Sequence, residues 1–256
     1  MDFKTILYSK QAPVVVVSLN RPQVLNAMNH QLWLDLQSAL EMVRCDLEIK
    51  VLILTGKGRA FSTGADLKDS KGRSQEAYRN YLEEVQEASR KLLYFEKPTI
   101  AAINGYALGS GYELALTCDL RIAAHEAQIG SPEAKVASSV TGGALRLVQN
   151  LVGPGKAKEL MFIGEYIDGK EAERIGLVNH CVPLEKLMPE TMAMAQRIAK
   201  NSSFSIKMIK KGLQLAQGEA SLEAIMQYEV EACLACVATK ERQTALNDFK
   251  KRKNKN

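Results

Sequence analysis

The stretch Thr99-Ile100-Ala101-Ala102-Ile103-Asn104-Gly105-Tyr106-Ala107-Leu108-Gly109-Ser110-Gly111-Tyr112-Glu113-Leu114-Ala115 decides the fold. Its first five residues form a short apolar run bounded by Pro98 and Gly105, which reads as a buried strand. Glycines then punctuate a turn, and Gly109-Ser110-Gly111 opens a helix that carries Glu113. Working outward, the same order recurs. Val14 to Leu19 is a β-branched run that stops at Asn20-Arg21-Pro22, and Asn29 is placed to cap a helix with the stripe Leu32, Leu36, Ala39, Leu40 and Val43. Val51-Leu52-Ile53-Leu54-Thr55 is a strand closed by Gly56, and Tyr78, Leu82, Val85 and Leu92 recur at helical spacing. Leu120 to Ala123 is a further strand. Strands alternating with helices imply right-handed βαβ units and a largely parallel sheet.

The pattern changes beyond about Pro183. Segments 185–199, 203–217, 220–238 and 240–251 all have helical periodicity, with no strand between them. The expected architecture is therefore an α/β core over 1–183 followed by a helical region over 184–256.

The bulk composition restricts the function classes. The chain has 256 residues, 46% hydrophobic and 25% charged, and lacks an apolar run near the roughly 18 residues that cross a bilayer. Met1-Asp2-Phe3-Lys4 does not lead from basic residues into an apolar stretch, so the cytoplasm is the expected compartment, with no membrane association. Cys45, Cys118, Cys181, Cys233 and Cys236 are irregularly spaced and suit reduced thiols. Cys233 and Cys236 form a CxxC pair without the second pair or histidine that a structural metal needs, and His30, His125 and His180 are far apart in sequence. No metal is expected. The net charge of +5 equals the five charges of Lys250, Lys251, Arg252, Lys253 and Lys255, so the rest of the chain sums to zero. A nucleic-acid-binding face is not indicated, although this tail could contact phosphates.

Two glycine-bearing turns follow predicted strands, at the carboxyl edge where ligand crevices form in parallel sheets. One is Ala60-Phe61-Ser62-Thr63-Gly64-Ala65-Asp66-Leu67, and the other is the turn before Glu113. Gly109-Ser110-Gly111 begins a helix, so its N–H groups are free and lie at the positive end of the helix dipole. Taken alone, each turn could equally be a tight connection with no ligand.

Together with their neighbours, these segments resemble the crotonase (enoyl-CoA hydratase/isomerase) superfamily from Val14 to Arg252. The matching segments, in the family's order, are Asn20-Arg21-Pro22 with Leu25-Asn26-Ala27, Ala60 to Leu67, Ile103 to Asp119, Ser131-Pro132-Glu133, and Ala172 with Ile175-Gly176-Leu177-Val178-Asn179. The resemblance implies a crotonase-like ββα spiral core, and an oxyanion hole made by the N–H groups of Ser62 and Ser110. It implies that Val24, Leu25 and Ala65-Asp66-Leu67 hold the adenine and pantetheine of coenzyme A, with Thr63, Gly64, Leu108, Gly109 and Pro132 also against the substrate. It implies catalytic roles for Glu113 and Glu133, the two carboxylates by which the family's hydratases add water to a 2-enoyl (or dienoyl) thioester. Coenzyme A enters as part of the acyl-CoA substrate, so no separate cofactor is expected. A trimer or dimer of trimers is also implied, covering the apolar faces Ile206, Ile209, Leu213 and Leu222, Ile225, Met226.

The chain departs from the family's pattern in two places. Hydratases commonly have three glycines where Gly109-Ser110-Gly111 stands, and the stretch Ala134 to Gly143 is a residue shorter and lacks a proline. The acyl group is thus left open. An isomerase, dehalogenase or decarboxylase would use the same oxyanion hole with one carboxylate, and an RNA-binding role would rest on the basic tail.

Overall fold

Aliphatic and β-branched residues fill the predicted strands because both faces of their sheet are covered. The computed structural model describes residues 3–70, 73–218, 221–237, 239, 240 and 244. Its first half runs β1 (Ile6–Gln11), β2 (Val14–Leu19), α1 (His30–Cys45), β3 (Val51–Gly56), β4 (Ala60–Ser62), α2 (Leu67–Ser70) and α3 (Gln75–Leu93). Next come β5 (Thr99–Ile103), β6 (Tyr106–Leu108), α4 (Ser110–Thr117), β7 (Leu120–Ala124) and β8 (Ile129–Gly130). The remainder is α5 (Ala144–Ile163), α6 (Gly169–Arg174), β9 (His180–Val182), α7 (Leu184–Ala199), α8 (Ser203–Ala216) and α9 (Leu222–Val237).

Among the described residues one sheet has the order β1-β2-β3-β5-β7-β9. Only the β1–β2 pair is antiparallel; the other neighbours are parallel, with Val16 opposite Ile53 and Ile53 opposite Ile100. Alternate residues divide the core in two. Val15, Val17, Leu52, Leu54, Ala101 and Ile103 join the large cluster that includes Trp33, Leu36 and Leu114. On the other face Val14, Val16, Val51, Ile53, Ile100 and Ile122 pack with Leu187, Ala195 and Ala199 of α7. This helix is therefore the cover of the sheet, and the C-terminal region contributes to the core.

The structure adds elements that periodicity does not predict. β1 is mostly exposed, so its sequence lacks a buried stripe. A second sheet, β4-β6-β8, runs through the two glycine-bearing turns, and its strands of three, three and two residues are too short to show a period. α5 is broken by Gly153 (φ 77°, ψ 161°) followed by Pro154, so Ala144–Ile163 is two helical pieces meeting at a kink. Expected helices at 185–199, 203–217 and 220–238 appear as α7, α8 and α9. Most of the segment 240–251 and the tail Lys250 to Lys255 lie outside the described residues.

Candidate functional site

The short second sheet brings the site together. Ser62 of β4 is in register with Ala107 of β6, and Leu108 with Gly130 of β8. The ends of these strands thereby set Ser62 to Ala65, Gly109-Ser110 and Ser131 to Glu133 side by side. Contact between the first two turns is close enough to exclude a side chain. A Cβ on Gly111 would stand 2.4 Å from the Ser62 carbonyl oxygen, so β4 and α4 can meet only with glycine there.

The loop before α1 locks the first turn in place. Asn26, fully buried, accepts from Arg21 N at 2.8 Å and donates to the carbonyls of Ala60 (2.7 Å) and Lys57 (3.0 Å). Arg21 Nη1 donates to Asp66 Oδ2 at 2.8 Å, in a pair whose side chains are 16% and 12% exposed. Val24 ends a 3-10 turn, and Leu25 and Asn26 adopt left-handed φ values of 52° and 57°. Leu25 O then accepts from Thr63 N at 3.1 Å. Leu67 starts α2 and is exposed.

The sequence reading gives Ser62 as an amide donor, and the structure adds a role for its side chain. Ser62 is a ladder residue of β4, fully buried, and it works through its side chain: Oγ donates to Asn26 O at 2.8 Å and accepts from Gly64 N at 3.2 Å. The unpaired donor is three residues on. Met28 N donates to Gly64 O and Asp66 N to Met28 O, a parallel bridge of Met28 with Ala65 in which the N–H of Ala65 faces away from Met28. Among the described residues that N–H has no acceptor. It lies next to the start of α4, since a Cβ on Gly64 would be 3.2 Å from Ser110 N. Ser110 is the first residue of α4, where an N–H has no partner one turn back. Two unpaired N–H groups, Ala65 and Ser110, thus share one edge of the site.

The two glutamates flank the same helix start. Glu113 lies one turn into α4 and is 3% exposed. Its Oε1 accepts from Thr141 N at 2.8 Å and its Oε2 from Thr141 Oγ1 at 2.5 Å. Burial pushes the Glu113 carboxyl above its usual range; the Thr141 donors oppose that shift and the charge of Glu133 adds to it. Glu133 follows Pro132 at the head of a 3-10 turn, and its Oε2 accepts from Ser131 Oγ at 2.5 Å. Its Oε1 sits where a side chain on Gly109 would be, 2.8 Å from the position of that Cβ. Gly109 also has φ 52° and ψ −127°, so the residue serves both as a turn and as the space for the Glu133 carboxylate.

Sequence reasoning missed Thr141, Gln86 and Ser89. Gln86 Oε1 of α3 accepts from Gly142 N at 2.8 Å, and Ser89 Oγ stands 3.0 Å from where a Gly142 Cβ would be. None carries a local signal: Thr141 meets Glu113, and Gln86 and Ser89 meet the neighbouring Gly142, through tertiary packing alone. His30 instead lies beside Glu84, at 2.7 Å.

A strand-ordered pair of glycine turns, two unpaired amides and two carboxylates thus come together at one place on the α/β fold. A family model described as enoyl-CoA hydratase/isomerase matches residues 9–256, and the chain belongs to that family. It is 34% identical to a crotonyl-CoA hydratase of Syntrophomonas wolfei, over 100% of this chain and 98% of that protein. It is 34% identical to a short-chain-enoyl-CoA hydratase of Clostridium acetobutylicum, over 97% of this chain and 95% of that protein. Its fold is similar to the crystal structure of an enoyl-CoA hydratase from Bacillus anthracis, with a TM-score of 0.94, 34% identity and 97% of each chain covered.

Proposed function

We propose that this chain is an enzyme that adds water to a 2-enoyl-CoA or dienoyl-CoA thioester, giving a 3-hydroxyacyl-CoA. The observation that carries the reading is the pair Glu113 and Glu133 on either side of the helix start that bears the unpaired Ser110 N–H. In this reading the thioester oxygen accepts from Ala65 N–H and Ser110 N–H. Conjugation then draws electrons from the β-carbon onto that oxygen as water attacks, and the two donors stabilise the enolate-like charge. One carboxylate takes the proton that water loses, and the other carboxyl delivers a proton to the α-carbon, so hydrogen and oxygen balance within one water. Val24, Leu25, Asp66 and Leu67 offer backbone for coenzyme A, and Thr63, Gly64, Leu108, Gly109 and Pro132 border the thioester. The reaction so written uses no metal and no cofactor beyond the coenzyme A of the substrate.

The test is turnover of a panel of enoyl-CoA thioesters in ¹⁸O-water, followed by loss of the conjugated thioester absorbance. Hydration places the label on the β-hydroxyl; isomerisation leaves the product unlabelled, which would overturn the reading.

A trimer-based assembly belongs to the same proposal. Ile209 and Leu213 of α8 are each 61% exposed, and Met226 and Val230 of α9 are 52% and 58% exposed. A cleft of about 440 Å³, lined in part by Leu116, Leu147, Leu151 and Ile206, lies beside α8 and apart from the glutamates. Apolar surface of this kind favours burial between subunits. Sedimentation is expected to give a trimer or hexamer at micromolar concentration, against a stable active monomer if these faces stay free. We place the enzyme in the cytoplasm, a reducing setting that suits the unbridged Cys45, Cys118 and Cys181. No helix among the described residues is long and apolar enough to cross a membrane.

A further inference from the structure

Thr141 makes both hydrogen bonds that Glu113 accepts among the described residues, one to each carboxylate oxygen. Two donors from one residue fix the carboxylate plane as well as its position, because rotating the carboxyl about its last torsion would break both bonds. The clamp is itself held. Gln86 of α3 accepts from the next amide, Gly142 N, and Ala144 N donates to Thr141 O at the start of α5. A chain of contacts therefore runs from α3 through the 141–142 segment to Glu113. That segment belongs to the stretch Ala134 to Gly143, where the sequence departs from the family's glycine-rich pattern.

We infer that Thr141 is a positioning residue for the reaction, whose side-chain hydroxyl holds Glu113 as an oriented carboxylate beside the Ser110 N–H. The inference rests on the hydratase reading for its consequence in turnover. Both Thr141 groups donate to an ionised carboxylate, and the backbone N–H cannot reverse, so the pair favours the charged form in a site where burial opposes it. The groups facing Glu113 are few. Glu133 is the acidic neighbour across the site, Tyr112 is the adjacent phenol on α4, and α3 contributes the neutral Gln86 and Ser89. With Glu133 raising the Glu113 carboxyl, nothing cationic among these replaces a lost donor.

Thr141→Val and Thr141→Ala each remove the hydroxyl and keep the amide, and Thr141→Ser restores it. The first two should move the acidic limb of kcat/KM upward by roughly one pH unit and lower kcat more than they raise KM, while Thr141→Ser returns the limb to its original place. A second readout needs no turnover: ¹³C NMR titration of the Glu113 carboxyl in the unliganded protein, identified by its absence in Glu113→Gln. The same upward shift is expected there. An unchanged Glu113 titration in folded Thr141→Val or Thr141→Ala would overturn the clamp. A shifted titration in a protein that hydrates no enoyl thioester would support the clamp and overturn the hydratase reading.

Discussion

Glu113→Gln and Glu133→Gln should each lower kcat by about 10² to 10⁴ with little change in thioester binding. Both substitutions are sterically mild. In Glu113→Gln the amide oxygen can still accept from Thr141 N, and the amide nitrogen can donate to the Thr141 hydroxyl, which turns to accept. In Glu133→Gln the Ser131 hydroxyl can turn in the same way. Loss of rate in either variant would therefore report the missing proton chemistry and not a collapsed site. If the two carboxyls act on one water, the double variant should be hardly worse than either single one, because partners that act as a unit are not additive. Single-turnover kinetics and thioester affinity check both parts. One-carboxylate chemistry would leave one of the two variants nearly fully active, and with an unlabelled product in ¹⁸O-water it would move this chain to the isomerase reading.

The parallel sheet was legible because its strands are buried on both faces and so appear as unbroken apolar runs, as in Val51 to Thr55. Glu113 and Glu133 stand out in the sequence through Gly109-Ser110-Gly111 and Ser131-Pro132, and the structure sets both beside the start of α4. The choice between the Ser62 and Ala65 amides turns on register. Which amide of a turn is left unpaired depends on the register of the neighbouring chain, here Met28 against Ala65, and nothing in Ser62-Thr63-Gly64-Ala65 encodes that register. Thr141 was hidden for a related reason. It reaches Glu113 across 28 positions, through a loop whose shape is set by Gln86 and by the start of α5. The second sheet escaped because two- and three-residue strands cannot display alternation, yet its pairings align the site's parts.

Replacing Ser110 by proline should cost about 3 kcal/mol of transition-state stabilisation, or roughly a 10²- to 10³-fold fall in kcat, by deleting one of the two unpaired donors. The position makes the test a clean one. Ser110 is the first residue of α4, the helical position at which proline is best tolerated because its missing N–H has no partner within the helix. Ser110→Gly keeps the amide and should keep most of the activity. Ser62→Ala supplies the contrast: its buried hydroxyl bonds Asn26 O and Gly64 N, so the variant should lose about 1 to 3 kcal/mol of stability, seen as a lower thermal midpoint. Its effect on kcat should be smaller than that of Ser110→Pro, since the Ala65 amide remains. Circular dichroism melts separate the two effects. A folded Ser110→Pro enzyme with near-wild-type kcat would show that the thioester oxygen does not rely on this amide. A Ser62→Ala enzyme that melts normally but loses as much rate as Ser110→Pro would show that the Ser62 hydroxyl, and not backbone amides alone, acts in the reaction.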